Sequence, residues 1–263
     1  MERWEWDGLP GVVRAAVEDR TGLVADVVPV TAGLTCSFAA GLRTSSGRLF
    51  VKGVRVGDAA GMAGQRMERV VHPLVQGLSP GLRWRVRAGG WELLGFDWVE
   101  GRHAELGPGS SDAALVGEVL VAASAVGVPE WLTVPRLAAR LAPHLETAEA
   151  ALLWGDTLLH TDTNPHNLLV DGARAWLVDW AMPAKGPAWV DAAYTAVRLM
   201  EDGTAPVEAL EWLEQFPVWR EADPAAVAAF VVGTCRAWEA IVGPVDCLPS
   251  NRRFEELLAA VRA

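Results

Sequence analysis

Two hydrophobic periodicities divide this sequence, and that division constrains the fold more than any single residue does. Up to Phe96 the apolar residues fall in short runs bounded by turn signals, and residues 24–30, 38–43, 48–54, 83–87 and 91–96 read as strands. Ser45-Ser46-Gly47 and Gly89-Gly90 supply the turns of two hairpins. Two helices accompany these strands. One covers 9–19, where Leu9, Val12, Val13, Ala16 and Val17 follow the i, i+3, i+4 pattern, and Gly22 ends it. The other covers 58–77, with Met62, Val70, Val71 and Leu74 on or near one face. Beyond Phe96 the chain turns rich in alanine and leucine. Residues 111–126, 134–153, 188–201, 205–214, 222–241 and 250–262 read as helices, interrupted by one hairpin at 168–180 with Asp171-Gly172 as its turn. Strands first and helices afterwards make an α+β chain of two lobes, 1–96 and 103–263, joined by a hinge at 97–102.

Composition narrows the class of partner. The chain has 263 residues, 51% hydrophobic and 21% charged, which suits a packed globular protein. Its formal net charge is -10, the opposite of the basic stripe that nucleic acid requires, and it fits a cationic or neutral small molecule. Cys36, Cys235 and Cys247 are odd in number and form no C-x-x-C pair, so a reducing compartment is expected. The N-terminal residues hold no apolar signal core, and the apolar run at 225–232 is too short and alanine-rich to span a bilayer. A cytoplasmic protein with no nucleic-acid or membrane partner is the expectation; the sequence is silent on oligomeric state. The 13 tryptophans read mainly as core.

The chemistry concentrates in one stretch. His160-Thr161-Asp162 is followed by Asn167, and Trp176-Leu177-Val178-Asp179-Trp180 closes the hairpin that comes next. Phosphoryl transfer needs a carboxylate to orient or deprotonate an attacking hydroxyl, and oxygen ligands for the Mg²⁺ that accompanies nucleotide phosphates. Asp162 suits the first task. Asn167 and Asp179 suit the second, because a hairpin brings positions distant in sequence side by side. His160 is expected to hold the loop in shape rather than titrate.

His160-x-Asp162-x-x-x-x-Asn167 resembles the H-x-D-x-x-x-x-N motif of the aminoglycoside phosphotransferase and choline kinase group, whose fold is protein-kinase-like. The specific resemblance covers roughly residues 155–195. It implies a strand-rich nucleotide-binding lobe, a helical lobe carrying the catalytic loop and substrate site, and ATP with Mg²⁺ bound between them. It implies that Asp179 is the metal-binding aspartate, here followed by Trp180, and that Asp191 is structural. It implies a phosphate-holding lysine on the third strand, and Lys52 is the only lysine in the first half of the chain. Glu68, the only glutamate in the helix at 58–77, becomes its acidic partner. The turn from Thr31 to Ser37 stands where a phosphate-covering loop belongs; it has the single glycine Gly33, so backbone amides and the Thr35 or Ser37 hydroxyl would cover the phosphates. Adenine would pair with the Asp97 carbonyl and the Val99 N–H. Catalytic roles thus fall to Asp162, Lys52 and His160. The reaction implied is transfer of the γ-phosphate of MgATP to a hydroxyl, on an aminoglycoside or related antibiotic as a resistance enzyme, or on a metabolite of the choline, homoserine or sugar type.

Blander readings stand beside these. Lys52 could be an edge-strand charge. Glu68, flanked by Arg66 and Arg69, could face solvent. His160, Asp162 and His166 could be ligands of a metallohydrolase, although that reading uses neither Lys52 nor Asn167. A non-catalytic ATP-binding sensor would be expected to have lost Lys52, Asp162 or Asp179, and all three are present. Glu201, Asp202, Glu208, Glu211 and Glu214 could be a solvated helix face or a rim that attracts a polycation. Trp212, Trp219 and Trp238 could be core or pocket lining.

Overall fold

The structure is a computed structural model that describes residues 3–30 and 36–260. The chain divides into two compact units. The first comprises residues 1–102 and 177–181, and the second 103–176 and 182–263.

The first unit is built on a five-stranded antiparallel sheet. Its strands are β1 (Val24–Pro29), β2 (Phe38–Thr44), β3 (Gly47–Arg55), β4 (Leu82–Ala88) and β5 (Trp91–Asp97), in the spatial order β1-β2-β3-β5-β4. Strand alternation sorts the side chains onto two faces. Phe38, Ala40, Leu42, Val51 and Leu93 meet Leu9 and, on helix α1 (Gly11–Thr21), Val13 and Val17 in one core cluster. Ala39 and Val54 on the other face pack with Phe50 and with Met62 of α2 (Ala59–Val71). The Asp58 side chain caps α2 by accepting from the Gly61 N–H at 3.0 Å. Helix α2 ends at Val71 rather than running to 77, because Pro73 cannot continue the helix; a 3₁₀ turn, His72–Leu74, follows.

The second unit carries α3 (Asp112–Ser124), α4 (Leu137–Leu141), α5 (Thr147–Ala151), α6 (Val190–Glu201), α7 (Pro206–Leu213), α8 (Pro217–Arg220), α9 (Pro224–Val242) and α10 (Leu248–Ala260). The single helix expected over 134–153 is instead α4, a 3₁₀ turn at Ala142–His144 and α5. Pro143 interrupts the ladder, and a capping box between Glu146 and Glu149 starts α5 afresh. Short strands complete the fold: β6 (Arg102–His103), β7 (Thr157–Leu159), β8 (Leu168–Val170), β9 (Ala175–Leu177) and β10 (Ala184–Gly186). Strands β6, β8 and β9 form one small sheet, and β7 pairs with β10 in another. The expected hairpin turn is present, where the Asp171 side chain accepts from the Ala173 and Arg174 N–H groups. Trp189, Tyr194, Phe230 and Phe254 meet edge to face in the helical core. Helix α9 is long and apolar enough to cross a membrane by length and composition, which corrects the shorter apolar run read from the sequence. Val227, Phe230 and Val231 of this helix are buried in the unit's core.

Candidate active site

In the first unit the central feature is a buried ion cluster. Lys52 lies on β3, the middle strand of the sheet, opposite Ala39 of β2 and Leu94 of β5. It is therefore no edge-strand charge. Its period-2 neighbours Phe50 and Val54 belong to the face that α2 covers. Helix α2 buries Gly61, Gln65, Glu68 and Val71, spaced three and four apart. That spacing turns Glu68 toward Lys52, and Nζ stands 2.6 Å from Glu68 Oε2. Both side chains are about 95% buried, so Glu68 is not a solvated helix charge. Gln65 Nε2 donates to the Lys52 backbone carbonyl at 3.4 Å. Asp179 completes the cluster, its Oδ1 2.7 Å from Nζ.

The electrostatics follow from one ammonium facing two carboxylates. Burial opposes the Lys52 charge, but Glu68 and Asp179 outweigh it and push its pKa above the ordinary lysine value. Burial raises Glu68 to about 7, with Asp179 adding to the rise and Lys52 and the Trp180 backbone opposing it. Asp179 itself has φ 64, a left-handed backbone in which a non-glycine residue is strained. The indole of Trp180 is fully buried beside it in sequence.

The remaining candidates of this unit take separate places. Ser37 is buried immediately before β2, and its carbonyl accepts from the Trp4 N–H at 2.8 Å. Thr35 lies outside the described residues, as does Gly33. Asp97 ends β5; its N–H donates to the Gly81 carbonyl at 2.8 Å and its carboxylate pairs with Arg83. Val99 is half-buried in the irregular stretch that follows, and its carbonyl accepts from the Gly101 N–H at 3.0 Å.

In the second unit the loop between β7 and β8 gathers His160, Asp162 and Asn167. Pairing of Leu159 with Ala184 fixes the strand from which the loop leaves. The Asp191 carboxylate, in the first turn of α6, then accepts the backbone N–H of His160 at 2.7 Å and of Thr161 at 2.9 Å. Those two bonds tie the start of the loop to α6. His160 is buried, and its Nδ1 accepts from the Asp162 N–H at 3.3 Å.

Two amides orient the Asp162 carboxylate. Asn164 Nδ2 donates to Oδ1 at 2.7 Å, and Asn167 Nδ2 donates to Oδ2 at 3.0 Å and to the Asp162 carbonyl at 2.9 Å. Each carboxylate oxygen keeps a further lone pair for an incoming hydroxyl. Asn164 Oδ1 accepts from the His166 N–H at 2.9 Å, so the Asn164 side chain also caps the 3₁₀ turn Pro165–Asn167. Asn167 spends only its NH₂ group on Asp162. Its Oδ1 has no donor among the described residues and suits a hard divalent cation, as does the Asp179 carboxylate. No group of three or more His, Cys, Asp or Glu side chains that could hold a metal ion gathers among the described residues.

Sequence reasoning missed Asn164, Thr161 and Arg140. Arg140 Nη1 donates to Thr161 Oγ1 at 2.8 Å. For Asn164 the signal was present, since an Asn-Pro pair favours turn initiation. The acidic residues near α7 divide. Glu201 pairs with Arg198 at 2.5 Å and Asp202 accepts from the Leu106 N–H at 3.3 Å, while Glu208, Glu211 and Glu214 are exposed. Among the tryptophans, Trp219 is buried against Trp189, and the Trp212 indole donates to the Ala113 carbonyl at 2.8 Å; Trp238 stays partly exposed.

Comparison with known proteins places the chain near one family and among solved structures of one fold. The model of a family described as phosphotransferase enzyme family, APH, matches residues 112–230 of this chain. Among curated proteins none matches the chain. Solved structures share its fold. A thermostable mutant of aminoglycoside phosphotransferase APH(4)-Ia, in ternary complex with AMP-PNP and hygromycin B, superposes with TM-score 0.61 at 13% identity, covering 95% of this chain and 98% of that one. Choline kinase LicA from Streptococcus pneumoniae gives TM-score 0.60 at 13% identity, covering 94% and 98%. An aminoglycoside phosphotransferase from Alicyclobacillus acidocaldarius gives 0.59 at 14% identity, covering 97% and 94%.

Proposed function

With residues 112–230 matched by the phosphotransferase enzyme family, we propose that this protein is an ATP-dependent kinase of a small hydroxylated molecule. The observation that carries the reading is the Asp162 carboxylate, fixed on both oxygens by Asn164 and Asn167. A carboxylate so held is oriented to accept the proton of a substrate hydroxyl as it attacks the γ-phosphorus in line. Lys52, anchored by Glu68, would hold the α- and β-phosphates. Asn167 and Asp179 would hold Mg²⁺, which supplies charge neutralisation on the phosphates. Backbone groups of Asp97 and Val99 would pair with adenine, and the Thr35 or Ser37 hydroxyl would cover the phosphates. Most of the rate would come from positioning and charge stabilisation, because the transition state is loose. The intact, buried Lys52 cluster supports a catalytic protein over a sensor.

For the acceptor we propose an aminoglycoside or a related antibiotic, with resistance as the consequence. The net charge of -10 and the exposed Glu208, Glu211 and Glu214 favour a cationic substrate. A metabolite of the choline, homoserine or sugar type is the second reading, supported by the equal likeness to choline kinase LicA. We also propose a cytoplasmic location. The test is ATP consumption with Mg²⁺ against aminoglycosides, other hydroxylated antibiotics and small hydroxylated metabolites, with Asp162→Asn as control. Turnover on one class, falling by about 10²–10⁴-fold in Asp162→Asn with MgATP binding preserved by calorimetry, is the expected result. Absence of any MgATP binding, or full activity in Asp162→Asn, would refute the assignment.

A further inference from the structure

Thr161, between His160 and Asp162, has φ 66. A β-branched residue in the left-handed region is strained and persists only where its surroundings hold it. The second unit shows what holds it. Asp191 takes its N–H at 2.9 Å. Its Oγ1 donates to the Met182 carbonyl at 2.7 Å and accepts from Arg140 Nη1 at 2.8 Å. Arg140, on the last turn of α4, also sends Nη2 to the Met182 and Pro183 carbonyls, each at 3.2 Å. One planar guanidinium thus spans three acceptors on two segments, a geometry its fork of donors allows and a lysine ammonium on a flexible stem does not.

We propose that Arg140 and Thr161 form a clamp that sets the position of Asp162, which makes Arg140 a positioning residue for phosphoryl transfer. The chemistry of this inference rests on the kinase reading above; the clamp rests on the geometry of the second unit alone. Without it the strained backbone at 161 relaxes toward negative φ, and the next residue, Asp162, swings with it. Misplacing a reacting group by about 1 Å costs about 10²-fold in rate. Lys52, Glu68 and Asp179, which would hold the nucleotide, take no part in the clamp, so the loss falls on kcat and leaves the MgATP Kd near its wild-type value.

Two readouts separate the clamp from the kinase reading. The first is amide hydrogen exchange of the unliganded protein, comparing residues 160–162 with α6. Arg140→Ala and Thr161→Val lower protection at 160–162 about tenfold while α6 is unchanged, as loss of about one hydrogen bond requires. Thr161→Ser, which keeps the hydroxyl, retains protection, and Arg140→Lys restores only part of it. The second is the rate of ADP formation from MgATP, with and without acceptor, alongside MgATP Kd by calorimetry. Arg140→Ala lowers the rate about 10²-fold at constant Kd, and the Arg140→Ala/Thr161→Val double variant falls no further than either single one. Unchanged protection in Arg140→Ala, or lost protection with an unchanged rate, overturns the clamp. A wild-type protein that never turns over MgATP sinks the kinase reading instead, and hydrogen exchange still judges the clamp.

Discussion

Replacing Glu68 by glutamine should make this protein more stable above neutrality and no more stable in acid. The reasoning begins with Lys52 Nζ, 2.6 Å from Glu68 and 2.7 Å from Asp179. Two carboxylates share one buried ammonium, and burial raises Glu68 from the ordinary 4.5 to about 7. A raised carboxyl pKa means that the folded state binds the proton more tightly than the unfolded chain. The stabilisation is then complete below pH 4.5 and is lost as pH rises through about 7. The span corresponds to about 3 kcal/mol. Glutamine matches the protonated carboxyl in shape, keeps an acceptor for the Trp180 N–H and does not titrate. The stability difference between Glu68→Gln and wild type should therefore be near zero at pH 4.5 and favour the variant by about 3 kcal/mol at pH 8. Urea unfolding followed by tryptophan fluorescence, at half-unit steps across that range, measures it. A difference that does not vary with pH, or a variant less stable at pH 8, would refute the argument. Lys52 keeps the Asp179 carboxylate in the variant.

Two further outcomes follow from other contacts. His72 Nε2 accepts from the Leu82 N–H at 2.7 Å, and burial holds the imidazole pKa below its ordinary 6.5. That stability is present above pH 6.5 and lost as pH falls through the lower folded value, so wild type should lose more than His72→Gln between pH 7 and pH 5 in the same unfolding assay. Gly155 stands against the backbone of Gly186 and Pro187, where a methyl group has no room. Gly155→Ala should destabilise by about 1–3 kcal/mol, read as a lower thermal midpoint, and a midpoint equal to wild type would show that the backbone yields.

What the sequence disclosed tracks the range of each interaction. Strand runs and the loop motif are local, so Lys52, Glu68, Asp162 and Asn167 were all legible as candidates. The alternation that buries Lys52 and the three- and four-residue spacing that buries Glu68 are likewise written in short windows. Breakers were readable but underweighted. Pro73 shortens α2, and Pro143 divides the stretch at 134–153. Strands β7 and β10 are three residues each, too short to show a period. Arg140 left no trace because its role depends on two segments, at 161 and at 182–183, that only the folded backbone delivers to it.

The path of the chain also sets an order of events in time. Residues 177–181 belong to the first unit, although everything from 103 to 176 belongs to the second. A ribosome that has released residue 102 has made the whole sheet and α2, yet Lys52 still lacks one of its two carboxylates. At about 5–20 residues per second, the remaining stretch to Ala181 takes roughly 4–16 s. During that interval Glu68 is the one carboxylate of the cluster already made, and the Asp179 carboxylate and the Trp180 amide are still to come. The first unit therefore matures only once much of its neighbour has been synthesised, and a fragment ending at residue 102 is an unfinished half rather than a domain.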